Sequence, residues 1–423
     1  MPTCPRATSR VVRAATLAVI ALGGALAAAQ TASIAPLRTA PVEKFTVNPG
    51  HRDWAPTVLA GTTIIGGNSS NRGGLFAVDT VTGKLKWAFR PTGTASGNPF
   101  VATAPAVSNG LVIAPMGNTL VAATIATGRE AWRARATAQS ASVAADAGMA
   151  FVLGEDANFH GLDAATGREK WAVPFPARGS CPSVPVAKGG RVYVTRNVLV
   201  KAADAIQPAS YARHLVALDA NTGEERWRYP ASSAGNVNIC ISEGVVSGDN
   251  YFAVDGITLH AVDLTTGRSL WQAVEVRAPY DGREKAFRIA GLVDAGDVLI
   301  GVTQVALVAF DKATGRRAWY IAGQYNLDSP STAVAGGVLY VQGHPGAKPT
   351  TEPQGRIVYQ GGKPVEQTPV LPGGHLNAVD LATRTVLWSF SRPTAEPNWR
   401  FGYVTAVDGG LWVDSYQALI KLQ

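Results

Sequence analysis

Seven times the chain repeats one phrase: a small residue, an Asp, a Thr-Gly turn and a Trp four positions beyond the Gly. A chain that repeats itself in this way builds one supersecondary unit many times over, because no single copy can bury its own apolar face. The copies are AVDTVTGKLKW ending at Trp87, AATIATGREAW at Trp132, GLDAATGREKW at Trp171, ALDANTGEERW at Trp227, AVDLTTGRSLW at Trp271, AFDKATGRRAW at Trp319 and AVDLATRTVLW at Trp388. Successive Trp residues stand 45, 39, 56, 44, 48 and 69 apart. The unit is therefore about 40–45 residues, the length of a four-stranded propeller blade.

Within a unit the apolar residues alternate, as in LVIAPMG, TLVAATIATG and EAWRAR, and Gly, Asn and Asp punctuate the runs. That pattern predicts short antiparallel strands. In the second unit they are expected at Pro105–Ser108, Leu111–Pro115, Thr119–Thr124 and Arg129–Arg135. One such sheet leaves edges and a face exposed, so the sheets must stack around an axis. After Trp388 the chain offers three further strands, Tyr403–Val407, Leu411–Asp414 and Gln417–Leu422, and lacks a fourth. Val42–Val47, just before the first inner strand at Ala55–Leu59, can supply it. The expected fold is all-β, an eight-bladed propeller of four-stranded antiparallel blades over residues 42–423, closed by the N-terminal strand pairing with the C-terminal blade.

The indole is the largest apolar surface a repeat can offer, and a small residue at the head of each phrase leaves room for a flat ring. The turn glycines suit positive φ. Arg384 stands where the last Gly should be and Thr124 where one Asp should be, so these two turns are expected to be less regular. His160 and His260, each just before the small residue of a phrase, read as strand positions rather than metal ligands.

The phrase resembles the tryptophan-docking repeat of the PQQ-like propellers, found in quinoprotein dehydrogenases and in the outer-membrane β-barrel assembly factor BamB. The resemblance covers residue 42 to the C-terminus. It implies that Trp87, Trp132, Trp171, Trp227, Trp271, Trp319 and Trp388 form a structural girdle between blades. For an active quinoprotein it also implies an adjacent Cys-Cys pair and a Ca²⁺ site; the chain has no such Cys pair and no haem-attachment motif, and Gly248-Asp249-Asn250 reads as an ordinary turn. No catalytic residue, cofactor, PQQ or metal ligand is therefore assigned.

Residues 1–29 carry Arg6, Arg10 and Arg13, an apolar run from Ala14 to Ala28 and a small-residue site before Gln30, the three parts of a secretory signal. A short flexible lead, 30–41, is expected to follow. No Cys succeeds the apolar run, unlike the BamB lipoproteins, and the run is too short to span a membrane convincingly. The expected location is periplasmic or extracellular. Net charge is +8, three of it from the signal arginines, and the rest is scattered; nucleic acid is not an expected partner. Cys181 and Cys240 each precede an inner-turn Gly by eight residues and would share an oxidising compartment. They are expected to form a disulfide between blades four and five, with two unpaired thiols as the alternative.

In a four-stranded meander the Thr-Gly turns occupy one face of the disc. The longer connections, with insertions at 196–213 and 343–374 and a small hairpin over Arg356–Val365, occupy the other. Arg52, Trp54, Asn238, Arg288, Tyr325, Asp328, Trp399 and Arg400 form the candidate binding set on that face. Aromatics beside Arg and Asn suit a protein segment, a glycan or another small ligand at the channel mouth. The leading expectation is an exported, non-catalytic scaffold for a protein partner in the cell envelope, similar in build to BamB. A PQQ-dependent dehydrogenase and a carbohydrate-binding or lyase-type propeller are the alternatives.

Overall fold

The computed structural model describes residues 34–48, 56–68, 74–91, 103–117, 119–135, 142–154, 156–175, 184–201, 210–230, 244–255, 257–271, 274–280, 282–325, 332–345, 356–360, 363–367, 375–392, 401–415 and 418–423. Among these there is no helix. Separate four-stranded antiparallel meanders occupy 57–89, 106–135, 143–174, 186–230 and 245–275, and two more, 291–325 and 332–390, are joined into one eight-stranded sheet where Arg317–Tyr325 pairs with Val338–Pro345. An eighth unit has three consecutive strands, Phe401–Val407, Gly410–Ser415 and Leu419–Leu422, and takes Glu43–Val47 as its outer strand. We number these sheets one to eight. In the second unit, Ala106–Ser108, Leu111–Met116, Thr119–Thr124 and Glu130–Arg135 lie within one residue of the positions expected from alternation.

Burial explains which strands read as continuous apolar runs. Leu111–Met116 is buried at every position because a neighbouring sheet covers each face. In the outer strand Glu169–Pro174 the buried residue is Trp171, and the other side chains are partly or fully exposed. The apolar clusters lie between sheets. Val58, Trp87 and Val112 meet between sheets one and two, Trp171, Val192 and Val216 between three and four, and Phe252, Leu299 and Val308 between five and six. Ile64, Phe76, Trp412 and Leu419 meet between sheets one and eight.

The repeated Trp makes the same two contacts at one junction after another. Its indole N–H donates to the carbonyl that follows the phrase's Asp position in the next sheet: Trp87 to Ile125 at 2.8 Å, Trp132 to Ala164 at 3.0 Å, Trp171 to Ala220 at 2.9 Å, Trp227 to Leu264 at 3.1 Å and Trp271 to Lys312 at 3.1 Å. Its ring lies under the next Thr-Gly turn, so close that a Cβ on Gly128 would stand 2.6 Å from Trp87 Cδ2. That Gly is thus required twice, for its φ of +70° and for the ring beneath it. Asp79 caps its turn by accepting from the backbone N–H of Val81 and Thr82 and from the Thr82 hydroxyl, and Asp163, Asp263 and Asp380 repeat the arrangement.

The turns at Thr124 and Arg384 are regular in backbone, contrary to expectation. Gly128 N–H donates to Thr124 O at 2.8 Å and Arg384 N–H to Asp380 O at 2.7 Å, the same bond that Gly83 makes to Asp79. In the first turn a hydroxyl pair, Thr124 with Thr127 at 2.6 Å, stands in for the carboxylate cap. In the second Arg384 adopts φ of 62° and lays its guanidinium 5.9 Å from the Trp319 ring centre. The left-handed backbone costs a non-Gly residue roughly 1–2 kcal/mol, and the ring contact returns about 0.5–1 kcal/mol. Arg384→Ala keeps the first and loses the second. In urea unfolding it is therefore expected to be the least stable of the set, with Arg384→Gly within about 1 kcal/mol of the parent. An alanine variant as stable as the parent would remove the ring contact from this account.

Sheet eight contains no Thr-Gly turn, and the docking pair is divided between the two chain ends. Phe45 takes the Trp place, paired with Lys421 in register and lying under Gly83, where a Cβ would meet its Cγ at 2.5 Å. Lys421 takes the small-residue place, and its Nζ donates at 2.7 Å to Thr80 O, the carbonyl an indole would have used. A phenyl ring and an ammonium thus divide the work of one tryptophan. Val42 and Gln423 exchange backbone hydrogen bonds beside them.

Residues 34–41 are docked, which corrects the expectation of a flexible lead. Trp388 donates to Leu37 O at 2.9 Å, Leu37 N–H donates to the Tyr340 hydroxyl at 2.6 Å, and Arg38 pairs with Asp380. Ile34 and Leu37 pack on the core between sheets seven and eight. The backbone N–H of Thr383, followed by the Arg38 guanidinium, holds Asp380 at about 2, outweighing burial. The lead occupies the place over Trp388 where another repeat would have put its turn. The signal segment, 1–29, lies outside the described residues.

Candidate binding face

The meander order places the second-to-third and outer-to-inner connections on one face, and three hairpins rise from these connections. At 196–213 an irregular insertion was expected. In its described part the strands Arg191–Lys201 and Ser210–Asp219 instead continue the sheet, paired as far as Lys201 with Ser210, and residues 202–209 lie outside the described set. Leu199, near the tip, is 54% exposed. In the 343–374 insertion, Arg356–Gln360 pairs with Lys363–Gln367, the hairpin that the turn residues predicted. Residues 346–355 and 368–374 lie outside the described set.

The third hairpin, Arg277–Tyr280 with Arg283–Ala286, sits in the connection between sheets five and six. Asp281-Gly282 at its centre is the dipeptide that could have revealed it. It is clamped to the rim of sheet six by Arg317, which donates to both carboxylate oxygens of Glu284 at 2.8 and 2.9 Å and to Arg277 O at 3.0 Å. Lys285 lies 4.6 Å from the Tyr280 ring centre. This forked geometry fixes the hairpin better than a single charge pair would.

Of the candidate set, Arg288 is exposed just after that hairpin. Tyr325 is not on the surface: it is 3% exposed, in the core between sheets six and seven, and its hydroxyl donates to Ile321 O at 3.3 Å. The cause is the outer strand Arg317–Tyr325, which runs on to pair Gly323–Tyr325 with Gly343–Pro345 and so draws the ring under sheet seven. Burial pushes its phenol well above the usual range. Arg52, Trp54, Asn238, Asp328, Trp399 and Arg400 lie outside the described residues, as do Cys181 and Cys240.

The titratable groups within the sheets are structural in their contacts. His160 is buried, with Nδ1 2.8 Å from Glu169 Oε2 and Nε2 3.0 Å from Asp156 Oδ1. Burial raises the Asp156 pKa, but hydrogen bonds from the Asn158 side chain and from His160 outweigh it and hold the carboxyl at about 2. His260, hydrogen-bonded through Nδ1 to the Tyr229 hydroxyl at 3.1 Å, is pulled down to about 4 by burial. Among the described residues no group of three or more His, Cys, Asp or Glu converges as a metal site.

Radially stacked four-stranded sheets, locked by an indole at successive junctions, define a β-propeller of tryptophan-docked, PQQ-like repeats. The family described as outer membrane protein assembly factor BamB matches residues 38–144 and 118–390, and the chain belongs to that family. Among solved structures, BamB from Moraxella catarrhalis superposes with a TM-score of 0.60 at 14% identity, over 90% of this chain and 99% of that one. The computationally designed Ika8 protein superposes at 0.57 and 12%, over 90% and 96%. A europium-containing methanol dehydrogenase does so at 0.57 and 13%, over 88% and 84%. At such identities the likeness is one of fold. Two curated relatives are serine/threonine-protein kinases named AfsK. The Streptomyces griseus protein is 31% identical over 133 residues, 30% of this chain and 15% of the kinase. That of Streptomyces coelicolor is 25% identical over 270 residues, 63% of this chain and 30% of the kinase. The chain thus matches less than a third of either kinase's length.

Proposed function

We propose that the protein is an exported, non-catalytic scaffold of the cell envelope, an eight-bladed ring that holds a protein partner on its hairpin-bearing face. The observation that carries this reading is the asymmetry of the disc. One face bears short turns capped by their own side chains; from the connections of the other, among the described residues, arise three hairpins, one presenting Leu199 and one tied back to the rim of sheet six by Arg317. A rigid surface of this kind loses little conformational entropy on binding. Membership of the BamB family supports an envelope location and a protein partner, and the pairing of Glu43–Val47 with Leu419–Leu422 supports a ring closed by both chain ends.

The test is affinity capture from the envelope fraction with the parent, with Leu199→Asp, and with residues 356–367 replaced by a short Gly-Ser turn. A specific partner is expected with the parent, and its recovery should fall at least about tenfold in one of the two variants, the scale of losing an apolar anchor. Equal recovery by all three proteins would move the binding surface elsewhere. Dye reduction on adding PQQ and Ca²⁺ would replace the scaffold reading with an oxidoreductase one.

A further inference from the structure

We infer that the cavity between sheets eight and one is a binding site for a small aliphatic carboxylate, with Lys421 holding the anion. The cavity has a volume of about 430 Å³. Ile34, Leu59, Val81 and Val407 give it apolar walls, Thr80 and Lys421 lie at its buried end, and Gly61, Thr62 and Asp408 at its exposed mouth. It opens on the Thr-Gly-turn face, beside the place where sheet eight has no turn of its own. It is thus separate from the proposed partner-binding face.

The argument turns on the donors of Lys421. The residue is 6% exposed, and Thr80 O is the one acceptor its ammonium meets among the described residues. An ammonium has three N–H donors, and a cation taken out of water with donors unspent is costly unless an acceptor reaches it. The nearby acid, Asp79, favours the cation by its charge but accepts no hydrogen bond from it among the described residues, its Oδ1 being taken by Val81 and Thr82 in its own turn. Lys44 is turned to Gln423 Oε1 at 2.6 Å and adds positive charge. Burial first, and the charge of Lys44 after it, pull the Lys421 pKa down against the opposing charge of Asp79, and a bound carboxylate would reverse the shift. At the other junctions Ala or Gly fills the Lys421 place, so this cation at a cavity is particular to the joined chain ends. Asp408, exposed at the mouth, disfavours polyanions, whereas a single carboxylate on an alkyl chain can pass it and lay the chain on the apolar walls.

Sodium hexanoate is the probe, followed through the methyl resonances of Ile34, Leu59, Val81 and Val407. Saturable shifts at millimolar concentration are expected, at least tenfold weaker for 1-hexanol and for hexanoate with Lys421→Met. Val81 is 63% exposed, so Val81→Trp can fill the cavity from its mouth with little disturbance to the core. That variant is expected to melt like the parent and to abolish the shifts, an arm that does not depend on the folding of Lys421→Met. Hexanol binding as tightly as hexanoate would reduce the site to an apolar void. Shifts that survive Val81→Trp, or no saturation in the parent, would overturn the assignment.

Discussion

Trp171→Ala is expected to lower the free energy of unfolding by about 3–5 kcal/mol, the cost of a large cavity in a packed core. The indole is 8% exposed and lies against Phe151 and Phe159 at ring separations of 5.9 and 6.1 Å. It also supports Gly223 of the next sheet, where a Cβ would meet its Cε3 at 2.7 Å. Its removal empties one junction and leaves the Ala220 carbonyl without its donor, so little of the lost contact can be recovered by collapse. Trp319 gives the contrast: it is only partly buried and is covered by an arginine that can follow a smaller residue. Trp319→Ala should therefore cost visibly less, and paired urea titrations followed by circular dichroism would measure both. A loss below about 1 kcal/mol for Trp171→Ala would mean that the girdle ornaments the junctions rather than holding them.

Removal of residues 34–47 is expected to do more, abolishing cooperative melting altogether. Those residues carry the outer strand of sheet eight, the ring under Gly83 and the cover over Trp388. Without them Leu419–Leu422 becomes a free edge, buried at every position in the intact protein and rich in apolar residues. Such an edge pairs with other chains. Size-exclusion chromatography should find the shortened protein aggregated, and a synthetic peptide of residues 34–47 should restore a monomer. A monomeric shortened protein that melts within a few degrees of the parent would show that sheet eight is complete without its borrowed strand.

The scaffold was legible where each repeat solves the same problem with the same residues. Trp87, Trp132 and Trp171 meet near-identical neighbours, so the demand for an indole, a small residue and a turn Gly is written at fixed spacing. Where the solution is divided, the pattern disappears. Phe45 and Lys421 are opposite one another in the sheet yet lie near opposite ends of the chain, and neither resembles a Trp or an Ala. The docking of Leu37 and Arg38 was hidden for the same reason, since its partners Tyr340, Asp380 and Trp388 are some three hundred residues away. Tyr325 was misplaced because a three-residue extension of one strand decides its burial, and periodicity says little about where a strand ends. Arg384 showed the opposite fault: the backbone bond to Asp380 survived the loss of Gly because one residue can bear left-handed strain when the turn around it is over-determined.

The pairing of Glu43–Val47 with the final strand also sets a timetable. Lys44 meets Gln423 across a separation of 379 residues, so Glu43–Val47 must wait unmatched until Leu419–Leu422 has been made. Chain entropy alone does not forbid so distant a meeting, since each doubling of the loop adds only about 0.6 kcal/mol. The delay is what matters. A nascent chain can assemble the intervening sheets as they emerge, but Glu43–Val47 stays an unpaired edge, vulnerable to proteases and to its own kind, until Leu419–Leu422 arrives.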